Sequence, residues 1–158
     1  MPILRRRSRA ILYLIIGLTF ICVQAQVVSA ANLESLSGGQ VSLDKYKGKQ
    51  PVLLFFWTTW CPYCRDEIKN LNQTNAELKK EGIMVFAVDV GESKYKVNRF
   101  FKGYLLKISV LLDEDSSFSQ GQDLFGVPTY IMFDKNGTEV YRDNIFPKNF
   151  KSLIVKKG

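Results

Sequence analysis

Six consecutive apolar residues, Val52–Trp57, lead almost directly into a segment with helical periodicity. An uninterrupted apolar run of this length is typical of a strand that is buried on both faces. The apolar positions that follow recur at helical spacing, which predicts a helix from about Pro62 to Lys80 that stops at Gly82. A doubly buried strand next to an amphipathic helix requires a sheet that helices cover on both sides.

The rest of the chain continues this alternation of strands and helices. Residues 32–50 are polar and rich in turn residues, and they predict a short hairpin or loop that leads into the domain. The other predicted elements are a strand at 83–88, a helix ending at Gly103, a strand at 110–112, a helix at 118–125, a strand at 129–133, a turn at Asn136-Gly137 and a helix at 146–155. The order predicts an α/β fold with a central mixed β-sheet flanked by helices.

The composition of the chain excludes several classes of function. The 158 residues are 46% hydrophobic and 23% charged, which is typical of one globular domain. Histidine is absent, which excludes histidine-based catalytic triads, histidine metal sites and haem attachment through Cys-x-x-Cys-His. Four arginines and no acidic residue lie in the first 30 residues, so the remainder carries 18 basic and 15 acidic residues. The net charge of +7 therefore belongs largely to the N-terminus and does not indicate a nucleic-acid partner.

The N-terminal segment has the order of features found in an export signal. A basic stretch at 5–9 precedes an apolar run at 10–23, and small residues at 28–30 offer a cleavage site. The apolar run is shorter than the roughly 20 residues that span a bilayer as a helix. We predict a signal peptide over residues 1–30 and an exported domain over 31–158, in the periplasm or another extracytoplasmic compartment.

An uncleaved anchor over residues 10–28 is the alternative, and it would tether the same domain to the membrane. The arginines precede the apolar segment in both cases, so they would stay cytoplasmic while the C-terminal part crosses. Cys22 lies in this segment without the preceding residues of a lipoprotein signal, and we interpret it as a small apolar residue.

The remaining two cysteines, Cys61 and Cys64, are separated by only two residues. A structural disulfide between them would close almost no loop. Zinc would need about four ligands, and apart from Cys22 in the N-terminal segment there is no further cysteine and no histidine. Reversible dithiol chemistry remains. Cys61 is expected at a helix N-terminus, where unpaired N–H groups and the helix dipole favour a thiolate. Cys64, one turn further on the apolar face, is expected to be sheltered and to resolve the mixed disulfide formed at Cys61.

Residues 56–65, which contain Trp-Cys-x-x-Cys, resemble the active-site region of thioredoxins. The wider pattern resembles the TlpA/ResA-like branch of exported thiol–disulfide oxidoreductases. Its further segments here are residues 43–49, 88–90, 111–113, 125–129 and 134–137. The resemblance covers about residues 33–158 and implies a thioredoxin fold with a helix–strand insertion at about residues 91–117.

The same resemblance implies which residues contact a substrate. Pro128 matches a proline whose peptide bond is cis and which faces the active-site disulfide, and an X-Pro bond can be cis at a small cost. Cis geometry would expose the backbone of Val127 to an extended substrate strand. A trans proline at the start of a strand is the alternative. The implied substrate-binding residues are Trp60, Pro62, Tyr63, Val127 and Pro128.

Phe55 is a departure from thioredoxin, which has a buried aspartate at that position in the strand before the motif. Glu67, three residues after Cys64, matches a glutamate that the TlpA/ResA-like branch places near its site. As a third catalytic residue beside the two cysteines, it could accept a proton from Cys64. The alternative is an acid that only complements the helix dipole. The branch often has a proline at the position of Lys69. Because that proline is absent, the sequence does not support a helix kink there.

The activity that the resemblance implies is disulfide exchange with cysteine-containing protein substrates outside the cytoplasm. The branch typically acts as a reductant, for example in cytochrome c maturation, and an external donor such as a membrane thiol reductase would re-reduce the pair. No metal and no cofactor are expected. A disulfide oxidase or isomerase is the main alternative, because Pro62-Tyr63 does not settle the direction of electron flow.

A peroxiredoxin-like peroxidase is a further alternative. Thr58 lies three residues before Cys61, as a peroxidase of this kind needs. Leu54, however, replaces the proline of that family. The sequence therefore favours disulfide exchange over peroxide reduction.

Overall fold

One mixed sheet of seven strands organises residues 32–155, which are the residues that the computed structural model describes. The strands are β1 (Asn32–Ser35), β2 (Gln40–Ser42), β3 (Val52–Trp57), β4 (Met84–Val90), β5 (Ser109–Asp113), β6 (Thr129–Phe133) and β7 (Glu139–Asp143). The helices are a 3₁₀-helix (Leu43–Tyr46), α1 (Pro62–Lys80), α2 (Lys94–Phe100), α3 (Ser117–Gly121) and α4 (Phe150–Val155). The predicted α/β architecture is confirmed.

The strand order is β2-β1-β5-β4-β3-β6-β7, with β3 near the middle. Strand β3 pairs in parallel with β4 and antiparallel with β6, and β4 pairs in parallel with β5. The two parallel connections each contain a helix, α1 between β3 and β4 and α2 between β4 and β5. The hairpin of β1 and β2 closes one edge of the sheet, and β7 closes the other.

The two faces of β3 carry separate hydrophobic clusters. Leu53, Phe55 and Trp57 pack on the side that α1, α2 and α4 cover. Leu54 and Phe56 pack on the opposite side, with the 3₁₀-helix and α3. All five side chains are completely buried, and each such burial contributes about 1.5–3 kcal/mol. The strand is therefore anchored from both faces, and it fixes where the next segment of chain begins.

Helix α1 has the bounds that its periodicity predicted, and its buried positions are Cys64, Ile68, Leu71, Asn75 and Leu78. It ends before Gly82, whose φ of 74° lies in the left-handed region that favours glycine. The helix is continuous through Lys69, the position without the proline.

The helix predicted at 118–125 is shorter than expected. Helix α3 ends at Gly121, and Asp123 then adopts a left-handed φ of 51°, which a helix cannot contain. Phe125 lies fully exposed beyond this reversal. Apolar spacing alone does not reveal such a backbone reversal, so the pattern overestimated the helix.

The helix predicted at 146–155 begins later than expected. Helix α4 starts at Phe150, and the residues before it form a turn in which the Phe150 N–H donates to the Pro147 carbonyl at 3.0 Å. Phe146 lies outside the helix and packs edge-on against Tyr130. Its apolar character reflects that contact rather than a helical position.

The predicted signal peptide or anchor and Cys22 lie outside the described residues. Between residues 32 and 155, no helix combines the length and the apolar character that crossing a membrane requires.

Replacing Phe55 by Ala is expected to lower the free energy of unfolding by about 3–5 kcal/mol, because it opens a cavity in a fully buried strand. Urea denaturation of the oxidised protein measures the loss. Phe125→Ala is the matched control, since that ring is exposed, and it should change stability by no more than about 0.5 kcal/mol. Equal effects of the two substitutions would contradict the central role of β3.

Candidate active site

The two cysteines lie where the chain passes from β3 into α1. Cys61 is the N-cap of the helix, with extended backbone angles (φ −80°, ψ 112°), and Pro62 opens the first turn. The Cys64 N–H donates to Sγ of Cys61 at 3.2 Å, so the sulfur occupies the place of a capping oxygen. This location matches the prediction that Cys61 lies at a helix N-terminus.

Cys61 and Cys64 are joined as a disulfide, with their Cα atoms 5.3 Å apart. Cys64 is completely buried, whereas 4% of Cys61 is exposed. The small difference has the predicted direction, with Cys64 as the sheltered member. Both sulfurs belong to the cluster that covers the α1 side of β3.

Exposed aromatic side chains flank the disulfide. Trp60 precedes it and is 62% exposed, while Tyr63 lies between the two cysteines and is 79% exposed. Large apolar groups rarely stay exposed without a function when several occur together. Phe125 and Ile145 are also exposed among the described residues.

The peptide bond between Val127 and Pro128 is cis, as the resemblance implied. Thr129, the next residue, pairs with Phe56 of β3, one position before the end of that strand. Pro128 therefore lies at the same end of the strands as the segment that leads into Cys61. Val127 is partly buried and contacts both hydrophobic clusters.

A groove of about 490 Å³ runs beside the motif, between α1 and the segment after β7. Its lining includes Tyr63, Glu67 and Pro128 from the predicted site, together with Ile145 and Phe146. Trp60 is not among its lining residues and lies outside it. The structure thus brings most of the predicted residues together at one end of the strands, with a concave surface next to them.

Glu67 is half-buried and is held by two hydrogen bonds. The Tyr130 hydroxyl donates to one carboxylate oxygen, and Asn70 Nδ2 donates to the other at 3.1 Å. Burial, and then the bond to Glu67, raise the pKa of Tyr130 above its ordinary value, so its hydroxyl stays protonated and keeps donating. Glu67 is therefore oriented from β6 and is not a freely solvated helix acid.

Tyr130 was not predicted as a site residue. It is completely buried, and its ring stacks on Phe55 with the centroids 4.6 Å apart. The apolar Phe55, where thioredoxin has an acid, thus supports a tyrosine that reaches Glu67. Only the position of Tyr130, two residues after Pro128, could have drawn attention to it in the sequence.

A second acidic group holds the other side of the motif. Glu92 accepts from the Thr59 N–H at 2.5 Å and from the Thr59 hydroxyl at 2.8 Å. Lys96 forms an ion pair with the same carboxylate, and Arg65 Nε donates to the Thr59 carbonyl at 2.8 Å. The residue two positions before Cys61 is therefore bound through its N–H, its hydroxyl and its carbonyl.

Asp89 lies beside Glu92 and is completely buried. Burial, followed by the neighbouring carboxylate of Glu92, raises the pKa of Asp89 to about 8. Burial by itself would also raise the pKa of Glu92, but Lys96 and the bonds from Thr59 hold it below its ordinary value. In the sequence, Asp89 was noted only as part of the family-like segment at residues 88–90. The acids at 89 and 92 and the lysine at 96 could have indicated a charged cluster there.

The model of the AhpC/TSA family matches residues 24–142. The chain belongs to the AhpC/TSA family.

Similar proteins of this family have names that concern disulfide chemistry. Thiol-disulfide oxidoreductase ResA of Bacillus subtilis is 35% identical over 108 residues, which are 68% of this chain and 60% of that protein. The chain thus matches about 60% of the length of such curated relatives. The resemblance to the TlpA/ResA-like branch is confirmed.

Solved structures show the same fold. A candidate thiol:disulfide interchange protein DsbE from Chlorobium tepidum superposes with a TM-score of 0.67 at 26% identity, over 77% of this chain and 84% of that one. StoA from Bacillus subtilis gives a TM-score of 0.66 at 20% identity, over 78% of this chain and 94% of that one. The chain has the thioredoxin fold, and α2 and β5 occupy the predicted insertion at residues 91–117.

Glu67→Gln is expected to lower the pH midpoint of disulfide exchange by about half a pH unit, because it removes a negative charge one helical turn from Cys64 that opposes thiolate formation. Initial rates with a small disulfide, measured across pH, test this. Asp66→Asn is the matched control, since it removes the same charge from an exposed position. A profile that Glu67→Gln leaves unchanged would reduce Glu67 to a helix-dipole partner.

Proposed function

We propose that the protein is a thiol–disulfide oxidoreductase that exchanges disulfides with cysteine-containing protein substrates outside the cytoplasm. The observation that carries the proposal is the Cys61–Cys64 pair at the N-cap of α1, with a backbone N–H directed at Sγ of Cys61. The relatives named as thiol-disulfide oxidoreductases support the same chemistry.

In the reducing direction, the Cys61 thiolate attacks one sulfur of a substrate disulfide. The other substrate sulfur leaves as a thiolate and takes up a proton. Cys64 then loses its proton and attacks Sγ of Cys61, which breaks the mixed disulfide and releases the second substrate thiol. Two electrons pass to the substrate, and the enzyme is left with the Cys61–Cys64 disulfide.

The N-terminus of α1 promotes the first step. The Cys64 N–H lies 3.2 Å from Sγ of Cys61 and would stabilise a thiolate there, both before attack and when Cys61 is the leaving group. Glu67, oriented by Tyr130, is the carboxylate that would accept the proton of Cys64 in the second step. These contacts support opposite tasks for the two cysteines.

Substrate would bind as an extended segment along the edge next to Val127. The pairing of Thr129 with Phe56 holds this part of the backbone at the end of the sheet that carries the motif, where main-chain pairing can hold a peptide. Pro62, Tyr63 and Trp60 offer exposed contact surface, and Pro128 lines the groove. Side chains of the substrate would occupy that groove.

We propose that the direction of exchange is reductive, as in the family branch, for example toward apocytochrome c. Residues 32–155 hold no cysteine pair besides Cys61 and Cys64, so an outside dithiol must supply the electrons. A membrane thiol reductase is the donor that an exported domain would meet. The signal-like residues 1–30 support export, because they are basic, then apolar, then small.

Removing the resolving cysteine tests the proposal. Purified Cys64→Ala, reduced and mixed with a peptide disulfide, should accumulate a stable mixed disulfide at Cys61, because no second thiol releases it. Mass spectrometry detects the adduct, and the same variant in the native host identifies the substrates. Cys61→Ala is the matched control and should trap nothing. Trapping by Cys61→Ala instead would reverse the assigned roles.

The reduction potential separates a reductant from an oxidase. We expect a value nearer the ~−270 mV of thioredoxin than the ~−120 mV of a strong oxidant. Equilibration of the domain in defined thiol–disulfide buffers, followed by alkylation, measures it. A value at the oxidant's end would replace the reductive direction by the oxidase or isomerase alternative and leave the exchange chemistry standing.

A further inference from the structure

Asp89 and Glu92 form a buried acid pair to which disulfide exchange, as described above, assigns no task. Asp89 is completely buried, and only 4% of the Glu92 side chain is exposed. Neither carboxyl oxygen of Asp89 receives a hydrogen bond from the described residues. A buried ionised carboxylate without donors is unfavourable, so the partner of Asp89 has to be identified.

The pair lies on the cysteine side of the sheet. Along β4, Val85 and Ala87 point into the cluster that contains Cys61 and Cys64, and Asp89 continues that alternation. Asp89 is also the register partner of Trp57, the last residue of β3. It therefore lies next to the point where the chain leaves β3 for the motif.

The charged groups that act on Asp89 come from two neighbouring segments. Glu92 follows β4 and Lys96 lies in α2, and both act on Asp89. Arg65 of α1 binds the Thr59 carbonyl on the far side of the Glu92–Thr59 bonds along the chain. Asp113 of β5 points to the opposite face, because Val110 and Leu112 of that strand point to the cysteine side. The cysteines themselves do not titrate while they form the disulfide.

Charge balance allows only one of the two acids to ionise easily. Glu92 is the ionised one, because Lys96 and two donors of Thr59 bind it. A second negative charge on Asp89 would face Glu92, and among residues 32–155 no Lys or Arg forms a salt bridge with Asp89 itself. A proton on Asp89, donated to Glu92, removes that repulsion and gives the buried carboxyl its missing partner.

We propose that Asp89 is a positioning residue whose proton is donated to Glu92, and that this pair fixes Thr59 and, through it, the approach of the chain to Cys61. The proposal deepens the proposed function, since it concerns how the exchange site is held. Loss of the proton places two negative charges side by side and weakens the hold of Glu92 on Thr59. Both stability and exchange then depend on the protonation of Asp89.

The direction of the stability effect follows from how strongly Asp89 binds its proton in the folded and in the unfolded chain. The pKa of Asp89 is about 8 in the folded protein and has its ordinary value of 3.8 when the chain is unfolded. Between these values the folded state binds the extra proton, so stability falls as pH rises from about 4 to about 8 and levels off above. An ordinary salt-bridged carboxylate would give the opposite slope.

The test compares Asp89→Asn with the exposed control Asp143→Asn in the oxidised protein. Asparagine keeps a donor for Glu92 and cannot ionise, so Asp89→Asn should gain stability over the parent protein as the pH rises from about 5 to about 9. The urea midpoint measures this without any need for activity. Asp143→Asn should follow the parent protein throughout. If the difference between Asp89→Asn and the parent stays constant with pH, the proposal is wrong.

Two further readouts separate positioning from a merely structural role. Infrared spectra of the oxidised protein near neutral pH should show the carbonyl stretch of a protonated carboxylic acid that Asp89→Asn lacks; its presence in both would overturn the assignment of the proton.

In exchange assays at about pH 7, Asp89→Asn should stay within about twofold of the parent, whereas Asp89→Leu, which has no donor, should be about tenfold slower. A folded Asp89→Leu with unchanged exchange would overturn the positioning role. If the parent protein itself does not exchange disulfides, the proposed function fails, and the stability comparison still decides the acid pair.

Discussion

Burial of β3 from both faces is the interaction on which the site depends. Because the strand is held by the helices of both layers, its end at Trp57 is fixed, and only three residues separate that end from Cys61. The N-terminus of α1 therefore meets the cysteines at a defined place. The capping bond from the Cys64 N–H to Sγ of Cys61 then gives the first cysteine the electrostatic environment of a helix start.

Acidic groups flank this point on two sides and act differently. On the groove side, Glu67 is half-buried and is oriented by Tyr130. On the opposite side, Glu92 is buried and binds Thr59, and Asp89 lies behind it. Phe55, at the position where thioredoxin has an acid, links these features to the core by stacking on Tyr130. The acidic groups near the motif therefore lie on α1 and at the end of β4, and not on β3.

The sequence predicted the long elements well and the short ones less well. β3 and α1 were found with their bounds, because a continuous apolar run and a 19-residue amphipathic helix leave few alternatives. The helices at 118–125 and 146–155 were overestimated, because the left-handed Asp123 and the turn at Pro147 interrupt patterns that still look helical. In short segments, local backbone geometry outweighs apolar spacing.

By itself, the sequence determined the α/β class, the dithiol character of the motif and the placement of Cys61 at a helix start. These follow from local patterns, because spacing along the chain fixes periodicity and the reach between Cys61 and Cys64. Only the tertiary structure decided that Tyr130 holds Glu67 and that Glu92 holds Thr59. Each of these contacts joins residues more than 30 positions apart, and such pairs meet only after the strands have assembled in their order in the sheet.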